Sequence, residues 1–197
     1  NAGYDHITYG GETYQQVTKL GVEGRRHLTK DTQLRLRYEA NSIDAAEIYS
    51  SLNGSRQYIR AETRIKQGKQ RYRLSYTYQT NDREDSSKAT SFSSDSPNRH
   101  IIRANARIRF SSNWKSEIDV RYRMSRYQDP EKELVGAELV ETITREDNRF
   151  RARLDIDYKL AKKTKLFGRY DHYDNDSNIA SKIYTRSLSS VGVKHTF

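Results

Sequence analysis

The chain has no cysteine, two prolines, one methionine and one tryptophan. The lack of cysteine excludes disulfide frameworks, thiolate metal sites, cysteine nucleophiles and covalently attached c-type haem. No run of about 18 apolar residues occurs, so no transmembrane helix is encoded. A membrane is not excluded by this, because barrels cross without apolar runs. Aliphatic material is scarce as well. Hydrophobic residues make up 34% of the 197 residues, against about 45–50% in an ordinary globular domain. A conventional core built from so little would be thin. The chain opens on Asn1 without methionine, the start expected of a processed or trimmed N-terminus.

What is abundant is charge and tyrosine. Lys and Arg number 36, Asp and Glu 26, for a net charge of +10, and there are fifteen tyrosines. Low hydrophobicity with net charge favours disorder, but the order of residues argues against it. Leu34, Leu36 and Tyr38 alternate with Arg35, Arg37 and Glu39. Tyr72, Leu74, Tyr76 and Tyr78 alternate with Arg71, Arg73, Ser75 and Thr77. Ile102, Ala104, Ala106 and Ile108 alternate with Arg103, Asn105, Arg107 and Arg109. The same pattern recurs around Arg60–Arg64, Asp119–Arg123 and Arg151–Asp157. A period of two is the strand signature, and helical spacing fits none of these segments as well.

The connections alternate too. Residues 29–31, 67–69, 111–113 and 161–164 read as tight turns, and residues 50–55, 82–98, 128–146 and 174–181 as longer polar loops. This predicts one all-β domain over residues 1–197: an antiparallel up-and-down barrel of about ten strands, from 2–9 to 185–197. Many segments run nine to twelve residues, enough to cross a bilayer at a tilt. Phe110, Trp114 and Phe197 fall at the turn end, and Tyr78, Tyr127, Tyr173 and Tyr184 nearer the loop end, where two aromatic girdles are expected of a membrane barrel. Alternation alone leaves two orientations open. In a soluble barrel or sandwich the arginines are a solvated surface; in a membrane barrel they line the interior.

The chain ends Ser190-Val191-Gly192-Val193-Lys194-His195-Thr196-Phe197. This resembles the C-terminal insertion signal of Gram-negative outer-membrane β-barrel proteins. Ser190, Gly192 and Phe197 match that pattern, and His195 departs from it where a hydrophobic residue is usual. The resemblance implies a transmembrane barrel in the cell outer membrane, contact with its lipid, and recognition of the last strand by the barrel assembly machinery. The segment 166–178, LFGRYDHYDNDSN, is similar in composition to strands of large bacterial barrels that export polysaccharide or sheathe multihaem electron conduits. Those barrels are far longer, and no single family is assigned.

On the barrel reading, Arg71, Arg73, Arg103, Arg107, Arg109, Arg121, Arg123, Arg151 and Arg153 line the interior. Planar guanidinium groups pair bidentately with carboxylate, phosphate or sulfate. Arg71, Arg73, Arg103, Arg107 and Arg109 have few acidic neighbours in sequence and are expected to form one basic wall. A small channel or conduit element favouring an anionic solute or a polymer such as polysaccharide follows. The alternative is a non-conducting barrel, packed with Arg–carboxylate networks, that anchors a partner protein.

Other classes fare worse. Asp171 and His172 are adjacent, hence on opposite faces of a strand, and no serine stands out beside them, so no catalytic set and no enzyme is expected. The five histidines have no metal spacing, and no cofactor is called for. The run 174–178, DNDSN, offers oxygen ligands without the glycine and distal glutamate of a helix–loop–helix calcium site, and reads as a turn. Nucleic-acid binding wants arginine and aromatic rings on one surface; here they lie mostly on opposite faces.

Overall fold

A computed structural model describes residues 2–9, 12–84, 86–88, 91–135 and 138–196. Ten long strands follow one another in it as β1 (Ala2–Tyr9), β2 (Glu12–His27), β3 (Thr32–Ala45), β4 (Gly54–Gln67), β5 (Gln70–Arg83), β8 (Pro97–Arg109), β9 (Trp114–Val135), β10 (Glu138–Ala161), β11 (Thr164–Ser177) and β12 (Tyr184–His195). Two short strands, β6 (Ser86–Lys88) and β7 (Ser91–Ser93), form a small hairpin between β5 and β8, and β7 also pairs with β9. The ten long strands form one antiparallel up-and-down sheet in chain order. Among the described residues no ladder joins β1 to β12, and the side chains of both edge strands are almost all exposed.

Local chemistry accounts for the turn end. At residues 28–31 the Thr29 hydroxyl accepts from the backbone N–H of Asp31 and Thr32, at 3.2 and 3.0 Å. At residues 110–113 Ser111 does the same for Asn113 and Trp114, at 3.2 and 3.1 Å. These side-chain caps close tight turns on otherwise orphaned donors. The connection Glu47–Leu52 is a 3-10 segment, and Asn53 Oδ1 ties it back by accepting from the Ala45 N–H at 2.7 Å.

One expected loop is not a loop. Residues 128–135 and 138–146 continue the β9–β10 ladder, with Thr144 opposite Pro130 and Val135 opposite Glu138. The segment is rich in residues of high strand propensity, including Val135, Val140, Thr142, Ile143 and Thr144. It extends these strands to 22 and 24 residues.

The alternation resolves into two faces with inverted burial. Leu36 is 56% exposed while Glu39 on the same strand is 7% exposed. Leu74 and Tyr76 are open, and Ser75 and Thr77 between and beside them are buried. Val17 and Ile43 are the buried aliphatic side chains among the described residues, against fifteen buried polar ones. A single-layer sheet shields one face only by curling, and here the shielded inner face is the polar one. The aromatic positions divide accordingly. Tyr78 and Trp114 are exposed large side chains of the outer band. Tyr127 and Tyr173 share the parity of the inner arginines and hold them: Arg145 lies 4.5 Å from the Tyr127 ring centroid and Arg151 4.7 Å from that of Tyr173. Tyr184 pairs with Asn175, also inward. Fewer rings face outward at the loop end than the sequence suggests, because one residue of offset in a strand turns a ring to the other face.

Gly54 opens β4 at φ 131°, and a Cβ there would sit 2.0 Å from the Asp82 carbonyl oxygen. Gly54→Ala is expected to lower stability by about 1–3 kcal/mol. Gly24→Ala, with nothing within 4 Å of the new methyl, is expected to change it little. Urea midpoints of the two variants check this.

Candidate anion site on the inner face

All nine arginines singled out by their spacing fall on the inner face, because pairing preserves face across every ladder. Arg71 lies opposite Arg107, Arg73 opposite Asn105, and Arg103 opposite Arg121. Arg121 lies opposite Arg151 and Asp119 opposite Arg153. Arg109 pairs with Lys115.

The expected wall is partly neutralised by carboxylates from neighbouring strands. Arg107 donates to Glu117 through two nitrogens, at 3.0 and 2.8 Å. Arg103 donates to Asp119 at 2.9 Å. Arg73 approaches Glu62 at 3.8 Å, and Arg64 holds the same carboxylate at 2.5 Å. On the later strands Arg153 and Arg151 share Asp171, at 2.7 and 3.2 Å, and Arg169 pairs with Asp155 at 2.6 Å. Such pairs are invisible to inspection of one strand, since the partners are brought together only by register. Arg71 and Arg109 have no ion pair among the described residues.

The uncompensated charge lies nearer the loop end. Across β8, β9 and β10 one rung reads Arg103–Arg121–Arg151, and the next Ile101–Arg123–Arg149. Five of these six positions are arginine and none is acidic. The two rungs below read Asn105–Asp119–Arg153 and Arg107–Glu117–Asp155, where charges alternate. Like charges directly opposite one another destabilise a sheet. Arg121 and Arg123 have no carboxylate within ion-pair distance among the described residues. The Nε atoms of Arg123 and Arg151 are shielded from solvent and have no acceptor. A cavity of about 190 Å³ opens here, lined by Arg121, Arg123, Arg149, Arg151, Phe150, Tyr173, Tyr184 and one acid, Asp174, whose carboxylate accepts from the Thr185 hydroxyl at 2.6 Å. Arg149 is held by Asp147 at 3.5 Å and Arg151 by Asp171, which leaves Arg121, Arg123 and the Nε of Arg151 as the donors without an acceptor among the described residues that suit a carboxylate, phosphate or sulfate group. Arg149 was not among the residues singled out from the sequence. It shares the parity of Arg151 and Arg153, but sits where the alternating run begins.

Asp171 is buried on the inner face and His172 lies on the outer, where its Nδ1 and the Ser187 hydroxyl are 2.9 Å apart. The two do not form a dyad. Among the described residues no three His, Asp or Glu side chains could hold a metal ion. In the terminal segment, Ser190 lies opposite Arg169 on the inner face and His195 opposite Thr164. Gly192 lies beneath the Phe167 ring, whose nearest carbons are 2.8 Å from where a Cβ would be. Phe197 lies outside the described residues. The chain matches no protein-family model, no curated protein and no solved structure.

Past the apolar band, where the outward positions turn polar at Arg126, Asn148 and Asp176, a second cluster ties the long hairpin to β11. Arg145 donates to Asp147 at 3.0 and 2.7 Å, and the Ser177 hydroxyl donates to it at 2.9 Å. Burial raises the pKa of the Asp147 carboxyl, but these hydrogen bonds outweigh it and hold the pKa below the ordinary value. A depressed carboxyl contributes stability above its unfolded pKa, and that contribution is lost as pH falls through the folded one. Local opening of the 130–147 hairpin, read by amide exchange, is therefore expected to increase below about pH 4. Asp147→Asn is expected to cost about 3 kcal/mol locally and to flatten that pH dependence.

Proposed function

We propose that this chain forms a transmembrane β-barrel wall in a Gram-negative outer membrane, and that its arginine-lined interior draws in and passes an anionic solute or polymer. The observation that carries this reading is the inverted burial: the apolar face is the open one and the ionic face the shielded one. Exposed apolar patches on soluble monomers rarely exceed about 600 Å². Here large apolar side chains are exposed on every one of the ten long strands. Lipid covers such a face at no cost, whereas water does not.

In a bilayer no strand edge can stay unpaired. With an even number of alternating strands β1 and β12 run antiparallel, so pairing them closes a ten-stranded barrel; further strands inserted between them would give a wider one. The match of Ser190 and Gly192 to the insertion signal supports assembly through the barrel assembly machinery. The two arginine rungs supply the anion attraction, because charges in a low-dielectric wall focus the field into the lumen. A second reading, a non-conducting barrel that anchors a partner protein, is favoured by the ion-pair ladder from Arg103–Asp119 to Arg169–Asp155, which can fill a narrow lumen.

Planar-bilayer recordings separate the two. The conduit reading expects anion over cation selectivity, and expects Arg121→Glu with Arg123→Glu to shift the reversal potential toward cations. A conducting barrel whose selectivity ignores both changes contradicts it. A silent bilayer with stable co-purification of a partner favours the anchoring barrel.

A further inference from the structure

The two ends of the sheet carry opposite charge. The turn-end segments 25–32, 64–73, 107–115, 157–165 and 192–196 contain sixteen Lys and Arg against two Asp. The loop-end segments 44–55, 82–96, 129–147 and 174–183 contain fifteen Asp and Glu against five Lys and Arg. The two kinds of cation also separate. Of thirteen lysines, nine lie in the turn-end segments, whereas the interior rungs use arginine.

These lysines surround a mouth. A cavity of about 590 Å³ is lined by Lys115, Lys159, Lys162, Lys163, Lys165 and Lys194 among others, and Asp157 is its one acidic residue. Asp157 is taken by Lys165 at 2.9 Å; the other five lysines have no ion pair among the described residues. A second cavity of about 370 Å³, lined by Lys69, Arg71 and Arg107, shares Arg109 and Lys115 with the first. Together they span three of the four tight turns.

We propose that this turn-end mouth is a docking ring for an acidic polypeptide segment of a partner protein. Three features select that occupant. The basic groups are spread over two adjoining cavities, wider than one small anion engages. Seven of the ten are ammonium groups on flexible stems, with Lys69, Lys159, Lys162, Lys163 and Lys194 exposed, suited to multipoint electrostatic contact; buried guanidinium forks suit one fixed oxyanion. Their side chains lie at inner-face positions 115, 159, 165 and 194, whereas the outer face at this level carries Trp114, Leu160 and Val193. A lipid headgroup layer meets those apolar side chains and not the lysines. A nucleic acid would find charge here but no free stacking platform, since Phe167 is laid against Gly192 and Trp114, which reaches the rim of the larger cavity from the outer face, is packed on Tyr158 at 4.6 Å between ring centroids.

The proposal does not depend on conduction, and the chain carries its own reporter: its single tryptophan, Trp114, lines the larger cavity. The protein in uncharged detergent is titrated with a dansyl-labelled oligoglutamate about twelve residues long, long enough to span the mouth, and energy transfer from Trp114 is followed. Saturable transfer is expected at about 50 mM salt, weakening about tenfold or more as screening shortens the reach of the charges. Lys159→Glu, Lys162→Glu, Lys163→Glu and Lys165→Glu together should weaken it at least about tenfold. Lys162→Gln with Lys163→Gln, confined to an exposed turn, should give a smaller loss in a chain whose folding is not at risk. Lys132→Glu with Lys182→Glu at the loop end should leave it unchanged. No transfer, transfer indifferent to the turn-end substitutions, or stronger competition by polyphosphate or phosphatidylglycerol vesicles of equal charge overturns the proposal. So does loss of transfer in Arg121→Gln with Arg123→Gln, which would move binding to the interior rungs and leave the anion reading standing.

Discussion

Everything in this molecule depends on the two-residue period of the antiparallel ladder. Each ladder pairs residues that share a face, so the parity set in one strand is handed on to the next. Odd residues face inward from β8 through β11, and a one-residue slip in any hairpin would move every arginine beyond it onto the apolar face. The capped tight turns at Thr29 and Ser111 hold that parity. With so few buried aliphatic groups, register is enforced by ion pairs on one side, and on the proposed reading by lipid on the other.

The same ladder arranges the charges. Across β8 to β11 the inner face passes from a lysine mouth, through rungs where arginine and carboxylate alternate, to rungs of arginine with no acid. On the proposed reading these are three successive environments for an anion: long-range attraction, a neutralised stretch, and a cluster in which Arg121 and Arg123 have no ion pair among the described residues. The two arginine rungs are the costly part of the structure. Arg121 and Arg123, half-buried, flanked by other arginines and without an ion pair among the described residues, do little for folding, and an arrangement that weakens the fold points to a binding role.

Most of the architecture was legible in the sequence because alternation survives without any knowledge of neighbours. The bounds of β1 and the four tight turns could be placed from residue type alone. The 128–146 stretch read as a loop because it is acidic and contains Pro130, yet its β-branched residues extend the ladder. The site was less legible. Glu62, Glu117 and Asp119 neutralise arginines from the adjacent strand, and only register reveals that. Arg149 completes an arginine rung for the same reason. Tyr127 and Tyr173 looked like girdle residues by position along the strand, but parity turns them inward onto Arg145 and Arg151.

The central claim is that the apolar face meets lipid. The most direct measurement is to express the chain behind a secretion signal, separate the cell envelope, and run boiled and unboiled samples of the detergent-extracted outer membrane on a denaturing gel. A protein found in that fraction whose unboiled form migrates differently from the boiled one is the predicted result. A soluble periplasmic protein with no mobility shift would contradict it, and would require the apolar face to be covered by protein rather than by a bilayer.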